Sequence, residues 1–142
     1  VKGDVLRLLA ELFRSELRAV CAADAIRRDT VAYLRIAPAL TFIAENYARP
    51  ISLDELAGAC CINVSYFCRR FREVTGVTAL NYISDYRISK AEALLLTTDL
   101  SVAEVAARVG FSDGCYFSRR FKALRGFPPS RLRSGTGNSV EP

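Results

Sequence analysis

A chain of 142 residues with 51% hydrophobic side chains is long enough for one domain with a sizeable core, or for two very small lobes sharing a connector, and too apolar to be disordered. No apolar run approaches the roughly 18 to 20 residues of a membrane span and no signal peptide opens the chain, so a soluble, cytoplasmic protein without a membrane partner is expected. The net charge is +5, yet residues 1–30 are almost neutral with six basic and five acidic groups, and two Arg-Arg clusters further on point to an acidic partner, nucleic acid first.

Apolar residues recur at spacings of three and four nearly throughout, and no alternating strand pattern appears, which predicts an all-α fold. Val5, Leu8, Leu9, Leu12, Phe13, Leu17 and Val20 make one amphipathic helix near the start. A second is expected from Asp29 to Tyr47, with Leu34, Leu40, Ile43 and Ala44 inward and Pro50 as its stop. The chain opens on Val1 and contains no Met, so it is expected to be a piece of a longer protein.

From residue 51 the sequence runs through one device twice. Residues 66–76 read YFCRRFREVTG and residues 116–126 read YFSRRFKALRG. Each copy starts with S-x-x-E, at Ser52 to Glu55 and Ser101 to Glu104, in which the Ser hydroxyl and the carboxylate satisfy backbone N–H groups at a helix mouth. A short helix follows, with Leu53, Leu56 and Ala57 inward in the first copy and Val102, Val105 and Ala106 in the second. The turn after it holds Gly110 in the second copy, suited to a left-handed backbone, and Cys61 in the first, where strain is greater. A longer helix is then capped by Asn63, or by Ser112 or Asp113, and stopped by Gly76 or Gly126. Helix, tight turn, helix, stop is a helix-turn-helix, and the chain makes it in tandem.

The longer helices have two distinct stripes. Val64, Phe67, Phe71 and Val74 share one face, as do Phe117, Phe121 and Leu124, and these are core. Ser65, Cys68, Arg69 and Arg72 form another stripe at i, i+3, i+4 and i+7, with Cys115, Ser118, Arg119 and Lys122 as its twin. Small side chains near a helix start let the backbone approach base edges. A long Arg places two N–H groups on a guanine, and a cation one turn later neutralises a phosphate. Arg70 and Arg120 lie beside the stripe, as flank phosphate contacts or as intramolecular ion pairs. Between the copies, residues 79–96 form one uninterrupted amphipathic helix with Leu80, Ile83, Ala91, Leu94 and Leu95 apolar. Its length of roughly 27 Å suits two reading heads spaced by about one DNA turn, near 34 Å. Arg87, with Asp85 nearby, reads as a structural ion-pair residue of this connector.

These residues resemble the AraC/XylS family of transcription regulators. The second copy carries the resemblance most fully, through Ala106, Gly110, Phe111, Tyr116, Phe117, Ser118, Arg119, Phe121, Lys122, Gly126 and Pro129. The first agrees through Leu56, Ala57, Tyr66, Phe67, Arg69, Phe71, Gly76, Tyr82, Ile83, Arg87 and Ala91. The resemblance implies a seven-helix, two-lobed domain with homeodomain-like three-helix lobes over 31–133: lobe one 31–78, connector 79–96, lobe two 97–133. It leaves 1–30 as a linker or dimerisation helix from an upstream domain and 134–142 as a disordered tail. Recognition helices would be 63–75 and 113–125. Base contacts would fall on Ser65, Cys68, Arg69, Gly114, Cys115, Ser118 and Arg119, and phosphate contacts on Asn63, Arg72, Ser112, Lys122, Arg70 and Arg120. Gly114 offers no side chain and Cys68 stands where many members carry a longer polar group, so the arginines and DNA shape would carry more of the specificity. Double-stranded DNA is the implied partner, with RNA polymerase and a second copy joined through an upstream domain as further candidates.

Two rival readings belong to other classes. Cys21, Cys60, Cys61, Cys68 and Cys115 show no C-x-x-C spacing and the chain has no His, so no metal or other cofactor is expected. Cys68 and Cys115, beside arginines, are the candidates for activated thiols in an alkyl-acceptor DNA repair protein, although no general base accompanies them. A helical interaction module without a DNA partner is the other alternative, which absence of salt-dependent DNA binding would favour.

Overall fold

A computed structural model of the chain describes residues 2–134, which are helical or lie in the turns between helices. In chain order the helices are α1 (Lys2–Asn46), α2 (Leu53–Ala59), α3 (Val64–Thr75), α4 (Ala79–Thr97), α5 (Val102–Arg108), α6 (Gly114–Arg125) and α7 (Ser130–Ser134). The tail expected over 134–142 lies, apart from the backbone of Ser134, outside the described residues.

The two helices expected at the start are one. Residues 21–29 (CAADAIRRD) contain neither Gly nor Pro, so nothing interrupts the backbone hydrogen bonds, and Asp29 lies mid-helix rather than at a cap. Pro38 also stands inside α1, on its exposed side, where water can take over the hydrogen bond its ring forfeits. From Val5 to Val31 every residue is exposed, so this part of α1 projects as an arm. Burial starts further on, with Ile36, Ala39 and Ile43 fully covered. Leu34, expected inside, is 62% exposed. It stands nine residues before Ile43, which at 100° per residue puts it about 180° away on the helix surface. Ala44 is likewise exposed, one step off the buried line.

Both capping boxes form. The Glu55 N–H donates to Ser52 Oγ (3.1 Å) and the Ser52 N–H to Glu55 Oε2 (2.9 Å); Ser101 and Glu104 repeat the exchange at 3.1 and 2.7 Å. Those backbone donors hold both carboxyls below the usual glutamate value. Their contribution is therefore present above the ordinary glutamate pKa and is lost as pH falls through the lowered one. Asn63 caps α3 through its Oδ1, and Asp113, not Ser112, caps α6. Gly76 and Gly126 end the longer helices at φ +79 and +81.

Two hydrophobic cores result. The first joins Ile36, Ala39 and Ile43 of α1 to Leu56 and Ala57 of α2, Phe67 and Phe71 of α3, and Ala79 and Ile83 of α4. The second joins Ile88, Ala91 and Leu95 of α4 to Val105, Ala106, Val109, Phe111, Phe117 and Phe121. Leu124, expected in this core, is instead exposed, at 37%. The connector is thus less a spacer than expected: a little over one helical turn after Ile83, in the first core, Ile88 is already in the second.

The cores meet at a tight junction. Arg87 does not pair with Asp85; its Nε donates to the Tyr47 carbonyl (2.7 Å) and its Nη2 to the Arg49 carbonyl (2.8 Å), tying α4 to the end of α1. Its guanidinium also lies over the Phe111 ring, 5.9 Å from the centroid, and burial lowers its pKa. Gly110 belongs to the same junction. With φ +101 it adopts a backbone that side chains rarely tolerate, and a Cβ there would stand 2.8 Å from the Tyr47 carbonyl oxygen. Cys61, at the matching turn of the first copy, takes φ +57 but is exposed, so its side chain has room.

Candidate nucleic-acid interface

The hydrophobic stripe of each longer helix fixes which way its polar stripe points. Phe67 and Phe71 are fully buried with ring centroids 5.5 Å apart, and Phe117 and Phe121 repeat this at 5.9 Å. The opposite face of α3 consequently carries Ser65, Arg69 and Arg72 in solvent, with Cys68 half-buried against the first core. On α6 the same positions bring Cys115, Arg119 and Lys122 outward, with Ser118 half-buried. Both expected stripes are therefore continuous surfaces of small side chains and cations.

The helix starts are open. Gly114 is the first residue of α6, and a Cβ built on it would meet nothing within 4 Å, so no packing demand keeps this position small. Its bareness leaves backbone accessible to a partner. Ser112 is exposed just before the cap; Asn63 is exposed but already holds the Tyr66 N–H through Oδ1 (2.8 Å).

For the flanking arginines the structure selects intramolecular partners. Arg120 Nη2 lies 2.5 Å from Asp85 Oδ1 on α4, and Arg125 pairs with Glu92 on the same helix. Arg70 bonds the Tyr66 hydroxyl through Nε (3.1 Å) and Glu73 through Nη1 (3.1 Å). That hydroxyl also accepts from Arg35 Nη1 (2.8 Å), and Tyr66 carries the Arg69 guanidinium over its ring, 5.7 Å from the centroid. The donated Arg70 and Arg35 bonds lower the Tyr66 pKa. Sequence reasoning missed Arg35, which lies 31 residues before Tyr66 on a helix read for its apolar face.

No disulfide links the cysteines: Cys21, Cys61 and Cys115 are exposed and Cys60 and Cys68 half-buried. Burial pushes the Cys60 thiol up, the reverse of nucleophile activation. Among the described residues no helix is long and apolar enough to cross a membrane, and no three His, Cys, Asp or Glu side chains gather as a metal site would require.

Comparison with known proteins bears on this arrangement directly. A family described as "Helix-turn-helix domain" matches residues 56–135. The arabinose operon regulatory protein of Escherichia coli (strain K12) is 36% identical over 107 residues, 75% of this chain and 37% of that protein. A crystal structure of the DNA-binding domain of AdpA, a global transcriptional factor, in complex with a target DNA superposes with a TM-score of 0.66 at 30% identity, over 70% of this chain and 90% of that one. The bifunctional transcriptional activator/DNA repair enzyme AdaA of Bacillus subtilis (strain 168) is 29% identical over 92 residues, 65% of this chain and 44% of that protein. The chain spans little more than a third of the arabinose regulator and under half of the repair protein.

Proposed function

The chain belongs to the AraC-type helix-turn-helix family of transcription regulators, as their DNA-binding domain, and from this membership we propose that α3 and α6 enter two successive major-groove segments of one duplex. The observation that supports this most is the repeated exposed stripe, small residues followed by cations, on two helices whose opposite faces are pinned by paired phenylalanines. Arg69 and Arg119 are the base readers, joined by Ser65, Cys68, Cys115 and Ser118, with the bare backbone at Gly114 allowing close approach. Arg72 and Lys122, one turn further on, contact phosphates. Arg70 and Arg120 have intramolecular partners, so their part in DNA binding is to set the edges of the reading face.

Selection of bound duplexes from a random pool tests this reading. It should return a preferred site, and recovery of unselected sequence would contradict it. On that site Arg72→Ala and Lys122→Ala should weaken binding to all sequences alike and each lower the salt slope by about one. A change of base preference in either variant would reassign that residue as a reader.

A thiol-transfer activity is the weaker reading. A repair function is part of the name of one relative, but here no His accompanies Cys68 or Cys115, and we read the chain as non-enzymatic. A folded variant with all five cysteines replaced by Ser or Ala should therefore retain DNA binding, with base preference altered only where Cys68 and Cys115 face the duplex.

The arm of α1 has its own place in this reading. Val5, Leu9, Leu12, Phe13 and Val20 are each more than half exposed along one broad arc. A further domain of the same protein is the occupant we assign to that arc, since the arabinose regulator is nearly three times as long as the matched region. The chain by itself should then self-associate, and Leu9→Glu with Phe13→Glu should render it monomeric without altering its preferred site. A parent chain that sediments as a monomer at high concentration and binds no apolar dye would contradict this.

A further inference from the structure

The two lobes have the same frame but opposite electrostatics on one flank. Ile36, Ala39 and Ile43 of α1 have the same spacing and burial as Ile88, Ala91 and Leu95 of α4, so α1 is to the first lobe what α4 is to the second. In that register Asp85 corresponds to Tyr33 and Glu92 to Leu40. The α4 carboxylates neutralise Arg120 and Arg125 in lobe two, whereas α1 brings no carboxylate to Arg70, the counterpart of Arg120. The acidic partner of Arg70 is Glu73 on its own helix, in a solvent-exposed i,i+3 pair.

In place of carboxylates α1 offers more cations. Arg27, Arg28 and Arg35 join Arg70 around an open cleft of about 330 Å³ floored by Val31 and Ala32, with no acidic side chain in its lining. Arg35 and Arg70 both donate to the Tyr66 hydroxyl, which holds two guanidinium groups side by side. Arg35 uses one of the five N–H donors of a guanidinium in this way, and Arg28 spends its Nε on the Asp24 carbonyl. The α1 carboxylates Asp24 and Asp29 make no ion pair among the described residues, and Asp29 lines the neighbouring cleft, which Arg28, Arg70 and Glu73 also line. Through Tyr66, whose ring lies under both Arg69 and Arg70, the ledge continues into the reading face of α3.

We propose that Arg27, Arg28 and Arg35 form a second DNA-backbone site, holding a phosphate of the strand that flanks the groove entered by α3. The proposal rests on the DNA-reading assignment of α3 and extends its footprint along α1. Arg35, already held at the Tyr66 hydroxyl, has little freedom left to lose when a phosphate arrives, and guanidinium groups suit phosphate geometry. Lobe one would then bind with a steeper salt dependence than lobe two, where Ala79 and Leu80 stand at the places of Arg27 and Arg28 and Arg87, at the place of Arg35, is turned onto the Tyr47 and Arg49 carbonyls.

The test uses Arg27→Gln with Arg28→Gln, neither of which bonds to α3, and separately Arg35→Gln, each titrated on the selected duplex across a series of salt concentrations. Each variant should lower the salt slope by about one for every phosphate it no longer neutralises, and leave base preference intact. A duplex with a neutral methylphosphonate at the flanking position should weaken the parent chain, and should weaken the double variant, which keeps only Arg35 at the site, by less. Unchanged slope and affinity in both variants, on a site that the parent binds with its preference intact, would overturn this proposal alone. A parent chain without duplex affinity would overturn the DNA-reading assignment, and the flank site with it.

Discussion

Inserting two residues after Ser84 in α4 should lower affinity for the preferred duplex by about a hundredfold or more, the loss expected when one of two linked heads is disengaged. The insertion falls between Ile83, in the first core, and Ile88, in the second, so the buried residues of each core keep their neighbours, while Tyr86, packed on the rim of the first core, moves with the second lobe. It turns one lobe by roughly 200° relative to the other and draws Arg87 away from the Tyr47 and Arg49 carbonyls. A four-residue insertion restores phase to within about 40° while lengthening the helix by roughly 6 Å, so it should be less damaging. It should still fall short of the parent, because Arg87 and the close approach of Gly110 to Tyr47 depend on distance as well as phase. Circular dichroism and thermal unfolding would establish that both variants remain helical and cooperatively folded. Equal, undiminished affinity for the two would mean that one head does the binding.

Arg69→Ala and Arg119→Ala should each cost about 1 to 3 kcal/mol on the preferred site and relax one base position. Both side chains stand on the exposed face of a helix whose other face is fixed by buried phenylalanines, so truncation should leave the lobes intact. Arg69 is further held over the Tyr66 ring, which reduces the freedom it gives up on reaching a base. Repeating the selection with each variant separates reading from attraction. A uniform loss over all sequences would mean that these arginines contact phosphates only.

What the sequence made legible was local. The S-x-x-E boxes, the Asn63 cap, and the glycines at 76 and 126 express backbone needs met within a few residues, and all appear where expected; Gly110 has the expected left-handed backbone, but its close approach to Tyr47 is tertiary. The tandem helix-turn-helix followed from them, and the all-helical class from apolar residues recurring at spacings of three and four. The outward stripes on α3 and α6 were legible for the same reason, since a 3.6-residue period assigns faces once the phenylalanines are placed. Partners set by tertiary geometry were not legible. Asp85 stands two residues from Arg87 in sequence, yet its partner is Arg120, 35 residues away. Arg87 instead reaches carbonyls at Tyr47 and Arg49, for which side-chain patterns give no signal. The continuity of α1 was missed because an apolar stripe that drifts around the helix looks like two stripes, and two helices. The Arg35–Tyr66 bond needed the packing of α1 on α3 before either residue could be related to the other.

A hydroxyl-radical footprint of the parent chain on its selected duplex tests the two-headed claim most directly. Two protected patches on the same side of the duplex are predicted, centred about one helical turn, near 34 Å, apart. The patch assigned to lobe one, identified by its loss in Arg69→Ala at limiting protein concentration, should be the more salt-sensitive. A single patch shorter than one turn, unaffected by Arg119→Ala, would contradict the account.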